Sequence, residues 1–295
     1  MTFETFLAVC LSGVVLGALY ALMATGLAVV WTTLGIFNFA HGAFIAMGAY
    51  VAWQVGNSNA GGAGYLAGGG ATVVCLFALG VLFHLLLVKP FERKASVVLL
   101  SVVTTLAGAT ILEGVMNLVW GPRSKQLDPI APGDFAWGEL VMSRNELVMI
   151  ALALAILAAV GAFLRYSSTG RAMRAVAQNR EAAQLLGLDV ARLYALAFGL
   201  SASLAGVAGL FIGSIRFMSP TMGAEPLMKA LIVVIFGGVA RFTGPIYAAF
   251  VVGIVEAFSS YYIGLYWTPA VLFALMIVVL MIKPEGLFGK HERSV

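Results

Sequence analysis

The sequence predicts an all-α polytopic membrane protein, and three observations carry that prediction. Of its 295 residues, 61% are hydrophobic and 10% charged, with a mean hydropathy of +1.00. Soluble domains average about 45–50% apolar and about 25% charged residues, and a single soluble core stops growing near this length. The apolar residues also fall in runs suited to a hydrocarbon layer about 30 Å thick, which takes about 20 helical residues to cross. Alternating strands of about ten residues, the signature of a membrane barrel, are absent. Soluble enzyme, nucleic-acid binder and disordered scaffold are excluded.

In order, the apolar segments are 6–30, 37–55, 63–88, 96–120, 143–164, 191–214, 226–240, 243–264 and 267–282. Between Glu4 and Lys89 there is no Lys, Arg, Asp or Glu, so this stretch holds several helices joined by uncharged turns. An ordinary signal peptide needs a positive n-region, so the first segment is expected to stay in the mature chain. Basic residues gather in three gaps: Lys89, Arg93 and Lys94; Arg165, Arg171, Arg174, Arg180 and Arg192; and Lys283, Lys290 and Arg293. The positive-inside rule makes these cytoplasmic. Walking outward puts 121–142 and 215–225 outside and Arg241 inside. Nine crossings then leave the N-terminus outside and the C-terminus in the cytoplasm. Segment 226–240 is short and ends at Gly237-Gly238, so a broken or re-entrant helix is the alternative, and eight to nine spans are expected.

The chain reads as one transmembrane domain, residues 1–295. Residues 6–120 form a first helical unit, 143–164 a connecting helix, 165–190 a cytoplasmic segment and 191–282 a second unit. The first unit starts outside and the second inside, which predicts an inverted repeat of the kind transporters use. Gly121–Glu139, with Pro122, Asp128, Pro129, Pro132, Asp134 and the aromatics Trp120 and Trp137, reads as an ordered loop or a short surface helix. The glycines Gly61, Gly62, Gly64 and Gly68–Gly70 lack the Lys-Ser/Thr of a phosphate loop and are assigned to close helix packing. Cys10 and Cys75 lie in apolar segments without ligand spacing and are expected as buried free thiols.

Polar groups inside apolar segments need a reason, since a charge at the bilayer centre costs a few kcal/mol or more. Glu113 and Glu256 sit well inside their segments. Asn117 and Ser260 are each four residues on, and pairing of an acid with Arg216 or Lys229 is a further option. Each acid reads either as a pathway or gating group or as a hydrogen-bonded packing group. Asn38 and His41 follow a break at Thr32–Gly35, where a discontinuous helix would present backbone groups to a solute. His41 either lines that pathway or bonds a neighbouring helix, and His84 is expected to snorkel. No nucleophile–base pair, metal spacing or nucleotide motif occurs, so no catalytic residue, metal or cofactor is expected in this chain.

Residues Thr169–Asp189 are too polar to span. Thr169 offers an N-cap, Met173, Val176 and Ala177 recur at helical spacing, and Gly187 suits a helix end. This predicts an amphipathic helix pair, lying on anionic lipid or docking a cytoplasmic partner. Here the string Glu181-Ala182-Ala183, three further residues and Gly187 resembles the EAA motif of ABC-importer permeases, though it matches loosely. Ile36–Phe44, containing Asn38-Phe39-Ala40-His41-Gly42, then Met47-Gly48-Ala49-Tyr50, resembles the signature of LivH-type permeases of branched-chain amino-acid importers. Lys229-Ala230, Phe236-Gly237-Gly238, Gly244-Pro245 and Gly253–Ala257 are similar to a third stretch of that family. The resemblance runs in order along the whole chain.

The resemblance implies an inner-membrane subunit that moves branched-chain or related amino acids inward while ATP is hydrolysed on separate subunits. It implies a homologous second permease, two ABC ATPases and an extracytoplasmic solute-binding protein, which would dock near Ser219-Pro220. It places ATPase coupling on Arg171, Arg174, Asn179, Glu181, Ala182, Ala183 and Gly187. Asn38, Phe39, His41, Gly42, Glu113 and Glu256 become the candidate pathway or gating residues. Urea, short amides and aromatic acids are also substrates within the family. The competing class is an ion-coupled carrier with Glu113, Glu256 or His41 as proton relay.

Overall fold

A computed structural model describes residues 2–57, 62–92, 96–137, 140–239 and 242–289. Gly61, Arg93, Lys94, Glu139, Arg241, Lys290 and Arg293, which entered the sequence reading, lie outside the described residues. Helix forms along every apolar run, as it must where no water can satisfy a backbone N–H or C=O. The elements are α1 (Phe3–Leu34), α2 (His41–Gly56), α3 (Gly62–Phe83), α4 (Val97–Trp120), β1 (Asp134–Trp137), β2 (Leu140–Ser143), α5 (Arg144–Tyr166), α6 (Ser168–Gln178), α7 (Arg180–Leu185), α8 (Val190–Ile215), α9 (Ala224–Gly237), α10 (Gly244–Tyr262) and α11 (Thr268–Ile282). A π-helical turn, His84–Val88, and a 3-10 turn, Lys89–Phe91, prolong α3.

All nine expected segments are helical. Among the described residues six helices are long and apolar enough to cross a membrane: α1, α3 with its extension, α4, α5, α8 and α10. The other three are short, with 16 residues in α2, 14 in α9 and 15 in α11. At 1.5 Å per residue these reach only about 21–24 Å. The reason is local: Gly35 and Gly238, both left-handed in φ, end α1 and α9, and α2 and α9 start only after the non-helical stretches 35–40 and 216–223.

The centre of the bundle is α1 beside α8. Helix α1 packs on α9 and α10, and α8 packs in the same manner on α2 and α3. These approaches are close because small residues face backbone. A Cβ on Gly209 would overlap the Ile45 carbonyl, one on Gly48 would overlap Gly206, and Gly42 and Gly223 leave no room for a methyl between them. Without a hydrophobic force between helices in lipid, such backbone-to-backbone packing is what holds them. Gly209→Leu is therefore expected to remove the folded peak in detergent gel filtration, since overpacking costs up to about 3 kcal/mol or more. Gly70→Leu, whose Cβ meets nothing within 4 Å, should elute like the parent. The glycine-rich patch is thus a smaller packing site than expected: of Gly68, Gly69 and Gly70, only Gly68 lies against backbone, at Ala52.

The connections sort to two ends. At one, Lys125 and Met218 exchange backbone hydrogen bonds of 3.1 and 2.7 Å, and Leu127 N–H donates to the Gly213 carbonyl at 3.0 Å. Among the described residues of the 121–143 connection there is a loop and then an antiparallel β1–β2 pair with Asp134 opposite Ser143, not a surface helix. At the other end lie α6 and α7, the α9–α10 turn, and residues 283–289, whose Leu287 N–H donates to the Phe236 carbonyl at 2.7 Å.

Three smaller expectations are corrected. His84 does not snorkel: it is fully buried and its Nε2 lies 2.7 Å from Glu92 Oε1, with the Phe198 ring 5.3 Å away. Both cysteines are free, but Cys75 is exposed on α3 and Cys10 half-buried, because the flanks of a membrane bundle face lipid. The N-cap of α6 is Ser167, whose hydroxyl accepts from Gly170 N–H at 2.8 Å, and not Thr169.

Candidate functional site

Two polar constructions stand out from the apolar bundle. The first is a ladder of charge that starts at the rim and runs inward. Glu225 and Lys229 are one turn apart on the same face of α9, where an i,i+4 pair meets. Lys229 Nζ lies 2.8 Å from Glu225 Oε1 and 2.7 Å from Glu256 Oε1 on α10. The Tyr20 hydroxyl of α1 donates to Glu256 Oε2 at 2.6 Å. Arg216, at the end of α8, lies 3.7 Å from Glu225. Exposure falls along the ladder: the Glu225 side chain is 61% exposed, that of Lys229 11% and that of Glu256 3%. The Lys229 ammonium also sits 5.5 Å from the Tyr20 ring centroid.

Beside the ladder is a cavity of about 230 Å³. Leu16, Leu19, Met23 and Ile212 give it an apolar wall, while Arg216, Lys229, Glu146 and Glu225 face it with charge of both signs. Chemically the ladder is a compensated ion pair that joins α9 to α10 and, through Tyr20, to α1. Any displacement of α9 must break a desolvated bond. Of the partners the sequence offered to Glu256, the structure selects Lys229; Arg216 reaches Glu225 instead. Tyr20 was missed, since nothing in the sequence relates positions 236 residues apart.

The second acid, Glu113, is built differently. It lies half-buried on α4, at the flank of the bundle. Asn117 does turn back toward it, but Nδ2 donates to the Glu113 carbonyl at 3.0 Å rather than to its carboxylate.

The residues from 38 to 42 lead into α2. Asn38 Oδ1 accepts from Ala40 N–H at 3.1 Å, Phe39 N–H donates to Thr105 Oγ1 at 3.2 Å, and Asn38 is fully buried. The His41 ring bridges two helices: Nε2 is 3.0 Å from the Met23 carbonyl and Nδ1 is 3.3 Å from Ser201 Oγ. It is fully buried, so of the two readings offered for His41 the geometry is that of the helix-bridging one. Gly42 meets Gly223 at the start of α9, so the two short helices begin against each other.

The second construction is the α6–α7 pair. Arg171 donates to the Tyr166 carbonyl at 2.8 Å and Arg174 to the Arg165 carbonyl at 3.1 Å. Both guanidiniums thereby satisfy carbonyls left open at the end of α5. Asn179 interrupts the pair and N-caps α7, its Oδ1 accepting from Ala182 N–H at 2.9 Å. Within Glu181-Ala182-Ala183 only Ala183 is buried. Helix α7 ends in a Schellman turn: Leu188 N–H donates to the Ala183 carbonyl, Gly187 N–H to that of Gln184, and Gly187 has φ +82°. The turn leaves Leu185 89% and Leu186 82% exposed, side by side at the tip. Their exposure depends on how Ala183 anchors the helix, which residue spacing alone does not show.

The chain matches the family model of the branched-chain amino acid transport system permease component over residues 9–280. It is 31% identical to the high-affinity branched-chain amino acid transport permease LivH of Escherichia coli K12, over 98% of this chain and 97% of that one. It is 26% identical to BraD of Pseudomonas aeruginosa, a permease described in the same terms, over 95% of each. A solved structure, PsaBC from Streptococcus pneumoniae in complex with Fab, superposes with a TM-score of 0.50 over 93% of this chain and 91% of that one, at 11% identity. That last likeness concerns the fold alone. By the family match and the near-complete relatives, this polytopic chain belongs to the permease components of branched-chain amino acid transport systems.

Proposed function

We propose that the chain is the membrane subunit of an ATP-driven importer for branched-chain or related aliphatic amino acids. The observation that carries the reading is full-length similarity to LivH-type permeases, joined to an exposed apolar tip on a polar helix pair. Leu185 and Leu186, presented by α7, are suited to a groove on an ATPase subunit, with Glu181 and Gly187 fixing the direction of the tip. A second, homologous permease and an extracytoplasmic binding protein complete the assembly. For the binding protein, the exposed Phe217 offers a better contact than Pro220, which is buried.

The grouping of the basic connections at the α6 end supports an orientation with that end and the C-terminus in the cytoplasm. An inverted repeat is supported by the matched pairings, in which α1, α9 and α10 stand to one another as α8, α2 and α3 do. In such folds the moving parts lie where the repeats meet. The short helices α2 and α9 begin at that junction, held by Asn38, Phe39, His41 and Gly42 on one side and by Lys229 and Glu256 on the other. These groups act as gates in the sense that they decide when α9 can move. Glu113 has no such place, so Glu113→Gln should leave ATP-driven uptake within about twofold of the parent. An ion-coupled carrier using Glu113 as its relay would lose accumulation altogether in that variant.

The test is a mild-detergent pull-down of the tagged chain followed by mass spectrometry and reconstituted uptake of labelled leucine. Two ATPases and a second permease, with uptake that requires ATP, support the proposal. A reproducible homo-oligomer free of ATPases overturns it.

A further inference from the structure

A larger cavity, of about 810 Å³, opens at the α6 end between α1, α5, α6 and the start of α10. Its walls are mainly hydrocarbon, from Trp31, Leu157, Val160 and Phe242. Among the described residues two guanidiniums, Arg165 and Arg174, stand in the lining, and no carboxylate does. Among the described residues neither arginine meets an acid within 4.0 Å. Arg174 spends Nη2 on the Arg165 carbonyl, but its Nε is buried without an acceptor, and so is the Thr25 hydroxyl in the same wall. An unsatisfied donor out of water costs about 1–3 kcal/mol, and more when charged. The cavity at the opposite end differs here, because Glu146 and Glu225 face it together with its two cations.

The missing component must therefore be anionic where it meets the arginines and apolar where it meets α5 and Phe242. A small inorganic anion would leave the hydrocarbon wall wet. A zwitterionic amino acid would find no carboxylate among the described lining residues to pair with its ammonium group. We infer that the cavity holds an anionic phospholipid, its phosphate on Arg165 and Arg174 and an acyl chain against Leu157 and Val160. Basic pockets between membrane helices take headgroups in this way. The lipid would brace α6, and through it the α7 tip, against α5.

The test is native mass spectrometry of the full chain with whatever subunits copurify. The preparation is stripped of lipid and titrated with phosphatidylglycerol or phosphatidylcholine of equal chain length. The parent should retain the anionic lipid about tenfold more strongly, the order expected of two cations near one phosphate. Gly161 lines the cavity and a Cβ there meets nothing within 4 Å, so Gly161→Trp should obstruct the α5 wall and weaken retention. Arg165→Gln leaves one cation and should cut the preference to about threefold, and it keeps the test valid if the tryptophan variant fails to fold. Equal retention of both lipids by the parent, or retention unchanged in Arg165→Gln, overturns the inference. So does displacement of the lipid by millimolar inorganic phosphate, which would make this an ion site, or a parent complex that retains no lipid because another chain covers the cavity.

Discussion

Lys229→Ala is expected to destabilise the protein by about 3–5 kcal/mol, the usual cost of leaving one partner of a buried ion pair uncompensated. The geometry makes the two partners unequal. Lys229 has a second carboxylate, Glu225, at 2.8 Å, whereas among the described residues Glu256 has no second cation and keeps the Tyr20 hydroxyl. Glu256→Gln should consequently be milder, because its amide oxygen can still accept from Tyr20 and the ammonium retains Glu225. The double variant Lys229→Met, Glu256→Met removes both charges and fills the space with hydrocarbon. It should recover most of the loss, since isosteric apolar pairs often match or exceed a buried ion pair. Thermal unfolding in detergent, followed by tryptophan fluorescence, should rank the parent and the double variant above Glu256→Gln and Lys229→Ala lowest. A double variant as unstable as Lys229→Ala would show that the ladder is not held by charge compensation. If the double variant is stable but fails to import, the pair serves movement of α9 rather than the resting fold.

That ladder also shows where the sequence stops being legible. The apolar runs were readable because hydrocarbon forces every backbone group into helix, so nine segments announced nine helices. The sorting of connections to two ends was readable from where Lys and Arg fall. Glu256 could be recognised as a buried acid from its position inside an apolar segment, but its partners depend on which helices neighbour α10. Lys229 was one option among several, and Tyr20 carried no polar pattern of its own. Glu113 looked equivalent to Glu256 by the same criterion, yet α4 lies at the edge of the bundle and α10 against α1. Burial within a segment is a property of one helix; burial within a bundle is a property of its neighbours. His84 failed for the same reason: its place near a helix end suggested snorkelling, and it is the π-helical turn, Glu92 and the Phe198 ring of α8 that enclose it. Gly42, Gly48, Gly209 and Gly223 each face backbone closely, while in the conspicuous glycine patch Gly69 and Gly70 do not, because close packing needs a facing backbone and not merely a small residue.

Gly187→Pro is expected to abolish ATP-coupled import while leaving the chain in the membrane. Gly187 stands at φ +82°, and proline is fixed near −65°. The substitution also removes the N–H that donates to the Gln184 carbonyl at 3.0 Å. Both bonds of the Schellman turn then fail, and Leu185 and Leu186 lose the direction in which α7 presents them. The bundle should be spared, because α7 has six residues and only Ala183 of them is buried. A graded series isolates the backbone requirement: Gly187→Asn, which tolerates the left-handed region, should import best, and Gly187→Ala, at about 1–2 kcal/mol of strain, less. Glu181→Lys should fall between Ala and Pro, since it reverses an exposed charge on the first turn of α7 where the helix dipole favours an acid. Import by the purified, reconstituted assembly, normalised to permease in the vesicles, is the measurement. Import at the parent's rate in Gly187→Pro would remove α7 from the coupling path. If the variant disappears from the membrane, the turn serves folding instead, and Leu185→Glu with Leu186→Glu, which strain no backbone, would then decide between docking and folding. Retained import in that exposed double variant would mean that the ATPase grips some other surface.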